Sequence, residues 1–300
     1  MKEIKNIGVI GSGTMGNGIA QTFALFGFQV HLIDLNLEIL EKAKNEILRN
    51  LERMVKKNAI SLGDQEKCLE RIQFSVDFQA GLETKDLIVE AVTENPEIKL
   101  DLFRKMDGYA PSHCILASNT SSISITRLAS VTKRPEKVIG MHFMNPVPIM
   151  KLVEVVSGLQ TNTETLEQIM SLSRILDKIP VPVKDYPGFI SNRILIPMIN
   201  EAIYSLYEGI AGVEEIDSIM TLGMSHPMGP LFLADFIGLD VCLSILEVLY
   251  KGFKNPKYAA CPLLVNMVMA GRLGVKSGIG FYIYDNEKKE KKVNPQFLVN

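Results

Sequence analysis

Three hundred residues with 47 % hydrophobic content suffice to bury a large core and point to two domains. A net charge of −2 gives no general attraction to nucleic acid or an anionic membrane. The four cysteines (Cys68, Cys114, Cys242, Cys261) form no CxxC and no Cys/His cluster, which argues against a zinc site, a redox dithiol or a disulfide framework.

The chain enters a strand-like run almost at once, MKEIKNIGVIG, so no signal peptide is expected. It has no run of about 18 uncharged apolar residues, so no transmembrane helix is expected. A soluble cytoplasmic protein is the expectation. Short Val/Ile-rich runs read as strands: 7–10, 29–33, 87–92, 115–118, 138–141 and 152–156. They are mostly continuous rather than alternating, as in a parallel sheet covered on both faces. Helical patterns lie between them, such as Leu166, Ile169, Met170, Ser173 and Leu176 on one face. The alternation predicts an α/β fold with a doubly wound sheet. The segment from Leu37 to Asn58 reads as a long amphipathic helical arm, with Leu40, Ile47, Leu51, Met54 and Val55 on its apolar side. At Tyr186-Pro187-Gly188 the pattern breaks, and strand signals nearly vanish beyond it. Residues 189–207, 213–222, 231–250 and 263–270 read as helices, with a kink expected at Pro197. The boundary predicted is 1–185 for the first domain and 186–300 for an all-α second one. The charged EKKEKK near the end reads as a solvated tail.

Gly11-Ser12-Gly13-Thr14-Met15-Gly16 is a GxGxxG between a strand and an apolar helix, and Asp34 ends the next strand. Alone the motif is weak; in this context it reads as a Rossmann-like dinucleotide loop. Gly11 permits the tight turn, Gly13 lets the backbone approach a pyrophosphate, and Gly16 lets helix and strand pack closely. The phosphates then meet the amide groups of Thr14, Met15 and their neighbours at the positive end of the helix. Asp34 suits a ribose 2′-hydroxyl and repels a 2′-phosphate, so NAD is favoured over NADP.

Only four histidines occur. His31 lies within a core strand, His113 in a polar turn, and His226 among prolines. His142 follows a strand of the sheet, where open α/β folds place ligands. Oxidising an alcohol needs a base for the hydroxyl proton, and histidine suits that exchange near neutral pH. A carboxylate on its other ring nitrogen fixes the tautomer and stabilises the imidazolium. Glu154, between Val153 and Val155-Val156, fits, since an embedded carboxylate is costly unless paired. From position alone, an ordinary loop between two strands fits His142 equally well.

Six segments make the chain resemble the 3-hydroxyacyl-CoA dehydrogenase family, most of all its short bacterial 3-hydroxybutyryl-CoA members: GVIGSGTMGNGIAQ, ASNTSSISI, HFMNPVPIMKLVEVV, KDYPGFISNRIL, HPMGPLFLADFIGLD and GIGFYIY. They cover essentially the whole chain in the family's order. The resemblance implies that His142 is the catalytic base and Glu154 its paired carboxylate. By the same likeness, Ser121 hydrogen-bonds the reacting oxygen and Asn192 positions the substrate across the domain interface. Glu94, Lys99 and Asn119 resemble cofactor contacts, and Lys57 a contact to coenzyme A. An acyl-CoA substrate and a homodimer are likewise implied. Read without the family, Ser121 and Asn119 fit turn residues, Asn192 a helix cap, Glu94 and Lys99 a surface pair, and Lys57 a solvated helix end. Met144 and Phe232 depart from the family's pattern and bear on acyl-chain preference. Two alternatives stand beside this reading: a dehydrogenase of a free hydroxy acid or sugar acid, and a non-catalytic NAD-binding relative.

Overall fold

The computed structural model describes residues 3–285 and 290–298. The chain divides into two compact units, Met1–Tyr186 and Pro187–Asn300.

The first unit has strands β1 (Asn6–Ile10), β2 (Gln29–Ile33), β3 (Ile72–Ser75), β4 (Leu87–Glu90), β5 (Ile115–Ser118), β6 (Val138–Phe143), β7 (Leu152–Ser157) and β8 (Ile179–Lys184). They form one sheet in the order β3-β2-β1-β4-β5-β6-β7-β8. Neighbours pair in parallel except β6 and β7, which are antiparallel. Its helices are α1 (Thr14–Leu25), α2 (Leu37–Lys56), α3 (Leu62–Glu70), α4 (Pro96–Tyr109), α5 (Ile125–Ala129) and α6 (Thr163–Ile175). Leu87 and Val89 join an apolar cluster with α1, α2 and α6, while Ile88 between them faces the other side, as strand periodicity requires. Both faces are therefore covered, which is why the strands read as continuous apolar runs. This is the doubly wound, Rossmann-like architecture expected.

Two strands were not visible in the residue pattern. β3 is short and mixed, with only Ile72 buried. β8, IPVPVK, is disguised by two prolines. Ile179 N–H bonds to Lys151 O and Asp185 N–H to Ser157 O. Residues 180 and 182 thus turn their nitrogens to the open edge, where a missing donor costs nothing and discourages further pairing. The run expected at 87–92 ends at Glu90, because the Val92 N–H turns back to the Glu90 carboxylate at 2.7 Å.

The helical arm is α2. Its N-terminus is capped by Asn36, whose side chain accepts from Ile39 N–H, and Leu40, Ala43, Ile47 and Leu51 are buried against the first unit's core. Ser61 and Asp64 form a reciprocal capping box that starts α3.

The second unit contains α7 (Ser191–Tyr207), α8 (Val213–Ser218), α9 (Pro230–Ile237), α10 (Leu239–Phe253) and α11 (Pro262–Met269). Ile196, Ile203, Leu231, Leu246 and Phe281 are among its core residues. The helix expected over 231–250 is two helices, because Gly238 sits at φ +104°, where a side chain is strained. α8 gives way at Ile219–Gly223 to a wider π-type turn.

The unit is helical but not purely so. A hairpin of β9 (Tyr282–Asp285) and β10 (Glu290–Val293) closes it. Of the charged EKKEKK, Glu287 to Lys289 lie outside the described residues, and Glu290, Lys291 and Lys292 form β10 instead of a free tail. The Lys291 ammonium lies 3.5 Å from the centre of the Phe232 ring and 4.2 Å from that of Tyr282, a cation–π arrangement. Buried Asp235 on α9 ties down β9: it accepts the N–H groups of Phe281 and Tyr282 and the Tyr284 hydroxyl.

Candidate active site

The strand order reverses about β1 and β4, so the loops after these two strands diverge and leave a crevice at their C-terminal ends. Gly11 there has φ +91°, and a Cβ at Gly16 would sit 1.7 Å from the Gly11 carbonyl oxygen. Both positions require glycine. Around Gly13 a Cβ would meet nothing within 4 Å, so open space faces the first turn of α1. That turn, beginning at Thr14 and Met15, has no acidic residue and no side-chain cap.

Asp34, just past β2, accepts the Ser12 N–H at 2.6 Å and the Ser12 hydroxyl at 2.7 Å on one oxygen. These bonds fix its carboxylate beside the glycine loop. A cleft of about 940 Å³ runs from Gly11, Gly13 and Asp34 past Ala91–Thr93 to Val76, Ile98, Leu102, Lys105 and Tyr109. The apolar far wall was not legible in the sequence, since it is assembled from single residues of separate elements. A carboxylate fixed beside a glycine loop, a bare helix end and an apolar slot together fit a dinucleotide.

His142 and Glu154 face each other in register across β6 and β7. His142 Nδ1 lies 2.8 Å from Glu154 Oε2, and both residues are buried. The loop between the two strands is fastened by the buried Lys178, whose ammonium donates to the carbonyls of Val147 at 2.5 Å and Met150 at 2.8 Å. The same loop lies against α1, because a Cβ on Gly18 would come within 3.0 Å of Val147.

Between these two places lies the loop after β5. Asn119 accepts the Phe143 N–H at 2.9 Å, so its side chain is used to hold the residue next to His142. Glu94 Oε1 accepts from the Thr120 hydroxyl at 2.5 Å, the Ser121 N–H at 2.9 Å and the Ser122 N–H at 3.1 Å. Desolvation pushes the Glu94 carboxyl up, but the Lys99 ammonium and these hydrogen bonds together hold it below its ordinary value. Lys99 and Glu94 are 3.3 Å apart, but not as a surface pair, because Lys99 is 1 % exposed. Its first partner is Glu90, buried at the end of β4 and not singled out from the sequence. Lys57 follows the last turn of α2 and is exposed. In the second unit, Asn192 lies in the first turn of α7 and is not its cap, a position held by Ile190.

Two family models meet on this chain. The 3-hydroxyacyl-CoA dehydrogenase NAD binding domain matches residues 6–186, and the C-terminal domain of the same enzymes matches 188–284. The chain belongs to the 3-hydroxyacyl-CoA dehydrogenase family. It is 52 % identical over 285 residues to a probable 3-hydroxybutyryl-CoA dehydrogenase of Bacillus subtilis, covering 95 % of this chain and 99 % of the relative. The mitochondrial hydroxyacyl-coenzyme A dehydrogenase of Homo sapiens is 42 % identical over 287 residues, 94 % of this chain and 91 % of that one. A crystal structure of (S)-3-hydroxybutyryl-CoA dehydrogenase from Ralstonia eutropha superposes with a TM-score of 0.92 at 47 % identity, covering 95 % of this chain and 100 % of the other. As a member of this dehydrogenase family the protein is an oxidoreductase, and its cofactor is NAD.

Proposed function

We propose that this dehydrogenase interconverts short (S)-3-hydroxyacyl-CoA thioesters, such as 3-hydroxybutyryl-CoA, and the 3-oxoacyl-CoA forms, with His142 and Glu154 as its acid/base pair. The observation that carries the reading is the buried 2.8 Å contact between His142 Nδ1 and Glu154. With Nδ1 engaged by a carboxylate, proton exchange with substrate falls to Nε2. Bound NAD supplies the acceptor for the hydride leaving C3 of the substrate. His142 takes the C3 hydroxyl proton, and Glu154 orients the ring and stabilises the imidazolium that results. Ser121 and Asn192 hydrogen-bond the substrate oxygens, and Lys57 at the exposed end of α2 meets the phosphates of coenzyme A. Gly11, Gly13, Thr14, Met15, Gly16 and Asp34 bind the cofactor. Glu94 and Asn119 border it through the loops they hold.

A homodimer joined through the second unit is supported by apolar side chains exposed there, among them Ile210, Ile219, Leu222 and Met269. No described helix is long and apolar enough to cross a membrane, and four buried cysteines far apart in the sequence suit a reducing compartment such as the cytoplasm. The test is NADH oxidation with acetoacetyl-CoA, free acetoacetate and longer 3-oxoacyl-CoA thioesters. Turnover of the short thioester, falling with chain length and absent with free acetoacetate, is expected. Turnover of the free acid alone would replace this reading with a hydroxy-acid dehydrogenase. No turnover at all would leave the non-catalytic relative.

A further inference from the structure

Lys178, between α6 and β8, is 6 % exposed, and its ammonium donates to the carbonyls of Val147 at 2.5 Å and Met150 at 2.8 Å. Burial and the charge of Lys151 lower its pKa from the ordinary lysine value, with Asp177 opposing them. A buried ammonium is costly unless its bonds matter. Its place in the fold says what those bonds hold.

Both carbonyls belong to the turn between β6 and β7. Within it the Ile149 and Met150 N–H groups bond to the Pro146 carbonyl at 3.0 Å each, so the chain curls through a single helical turn whose last carbonyls need a donor. Lys178 supplies one from a fixed base. Its own N–H bonds to Ser173 O at 3.0 Å, and the Ile179 N–H beside it bonds to Lys151 O at 2.8 Å. On its other side the turn lies against α1 through Val147, which is 2 % exposed. His142 and Glu154 are one rung from this turn, because Phe143 and Val153 form the last pair of the β6–β7 ladder. A ladder frays from its ends, and a slip of one residue would turn both side chains to the opposite face.

We propose that Lys178 is a positioning residue: it seats the 145–150 turn between α1 and the start of β8, and so holds His142 in register with Glu154 before substrate binds. The proposal rests on the acid/base reading above. Lys178 works through the turn, by keeping Nδ1 and Oε2 at their 2.8 Å contact. A displacement of about 1 Å at such a pair costs on the order of 100-fold in rate.

The test is Lys178→Met, which fills the same space without the charge or the donors. The readings are kcat and KM for acetoacetyl-CoA with NADH, the NADH dissociation constant, and kcat again in the His142→Gln background. A fall in kcat of about 30-fold is expected, with KM and NADH affinity within about threefold of wild type. A residue that only stabilised the fold would lower the melting temperature and leave the kcat of the folded enzyme alone. Because Lys178 acts through His142, its substitution should cost less than about threefold once His142→Gln has removed the base. Gly18→Ala approaches the turn from the other side without removing a buried charge. Its added Cβ presses on Val147 at 3.0 Å and Pro148 at 3.5 Å, while alanine favours the helix more than glycine does. It should lower kcat about tenfold on the same terms, and it carries the test if Lys178→Met does not fold. A kcat within about threefold of wild type in the variant that carries the test, or losses that multiply with His142→Gln, would overturn the proposal. So would NADH affinity falling in step with kcat. A wild-type enzyme inactive on acetoacetyl-CoA would instead refute the dehydrogenase reading, and the proposal with it.

Discussion

His142 and Glu154 are direct cross-strand partners on the antiparallel β6–β7 pair, with 2.8 Å between Nδ1 and Oε2. In a parallel pair the two residues would need a long crossover between them. Here the chain turns back within the loop that Lys178 fastens, so a base and its carboxylate can lie twelve positions apart and still meet.

Glu154→Gln should keep the shape of the pair but not its ability to stabilise an imidazolium. A fall in kcat of about 10²-fold or more is expected, with melting temperature little changed. Steady-state kinetics beside a thermal melt checks this, and a kcat within a factor of about three of wild type would reduce Glu154 to a structural partner.

Cofactor choice should follow Asp34. Its carboxylate is held by Ser12, and Lys105, a cation lining the cleft, is already paired with Asp101 at 2.8 Å. NADPH should therefore be poorer than NADH by roughly 100-fold in kcat/KM, and Asp34→Ser with Leu35→Arg should narrow the gap. Equal use of both cofactors by the wild type would count against Asp34 as the ribose ligand.

Asp235 gives the second unit a pH signature. Burial pushes its carboxyl up to about 6, outweighing the hydrogen bonds from Tyr282, Tyr284 and Phe281, and nearby Asp217 pushes the same way. In the unfolded chain it ionises near 3.8. The folded state therefore keeps a proton that the unfolded state releases, and this group's stability is greatest at low pH and lost as pH rises through about 6. The full loss corresponds to about 3 kcal/mol. Denaturant melts of wild type and Asp235→Asn should thus diverge in the mutant's favour by roughly 2 kcal/mol between about pH 4 and about pH 7.5. A difference that does not vary with pH would contradict the raised value.

The four cysteines are buried, and burial pushes the thiols of Cys68 and Cys242 up to about 12. A thiol reagent near pH 8 should label none of them in the native enzyme and all four after unfolding. Rapid native labelling would show that the core opens far more often than its packing suggests.

Much of this site was written in local patterns. The glycine loop, Asp34, and the His142 and Glu154 positions each sit where strand periodicity and a change of strand direction put ligands. β8 escaped notice because Pro180 and Pro182 look like strand breakers, yet an edge strand has no use for their missing donors. β10 was hidden by its charge, which the Phe232 and Tyr282 rings accommodate. Glu90 lies unmarked inside the 87–92 run, and Lys99, without the family likeness, reads as half of a surface pair with Glu94. Their meaning depends on three elements converging, and no spacing along the chain encodes that.

The most direct measurement is the kcat of His142→Gln with NADH and acetoacetyl-CoA, taken beside its NADH dissociation constant. A fall in kcat of about 10³-fold or more, with NADH binding within about threefold of wild type, is the result expected of the acid/base residue. A kcat near that of wild type, or NADH binding lost to the same extent, would contradict it.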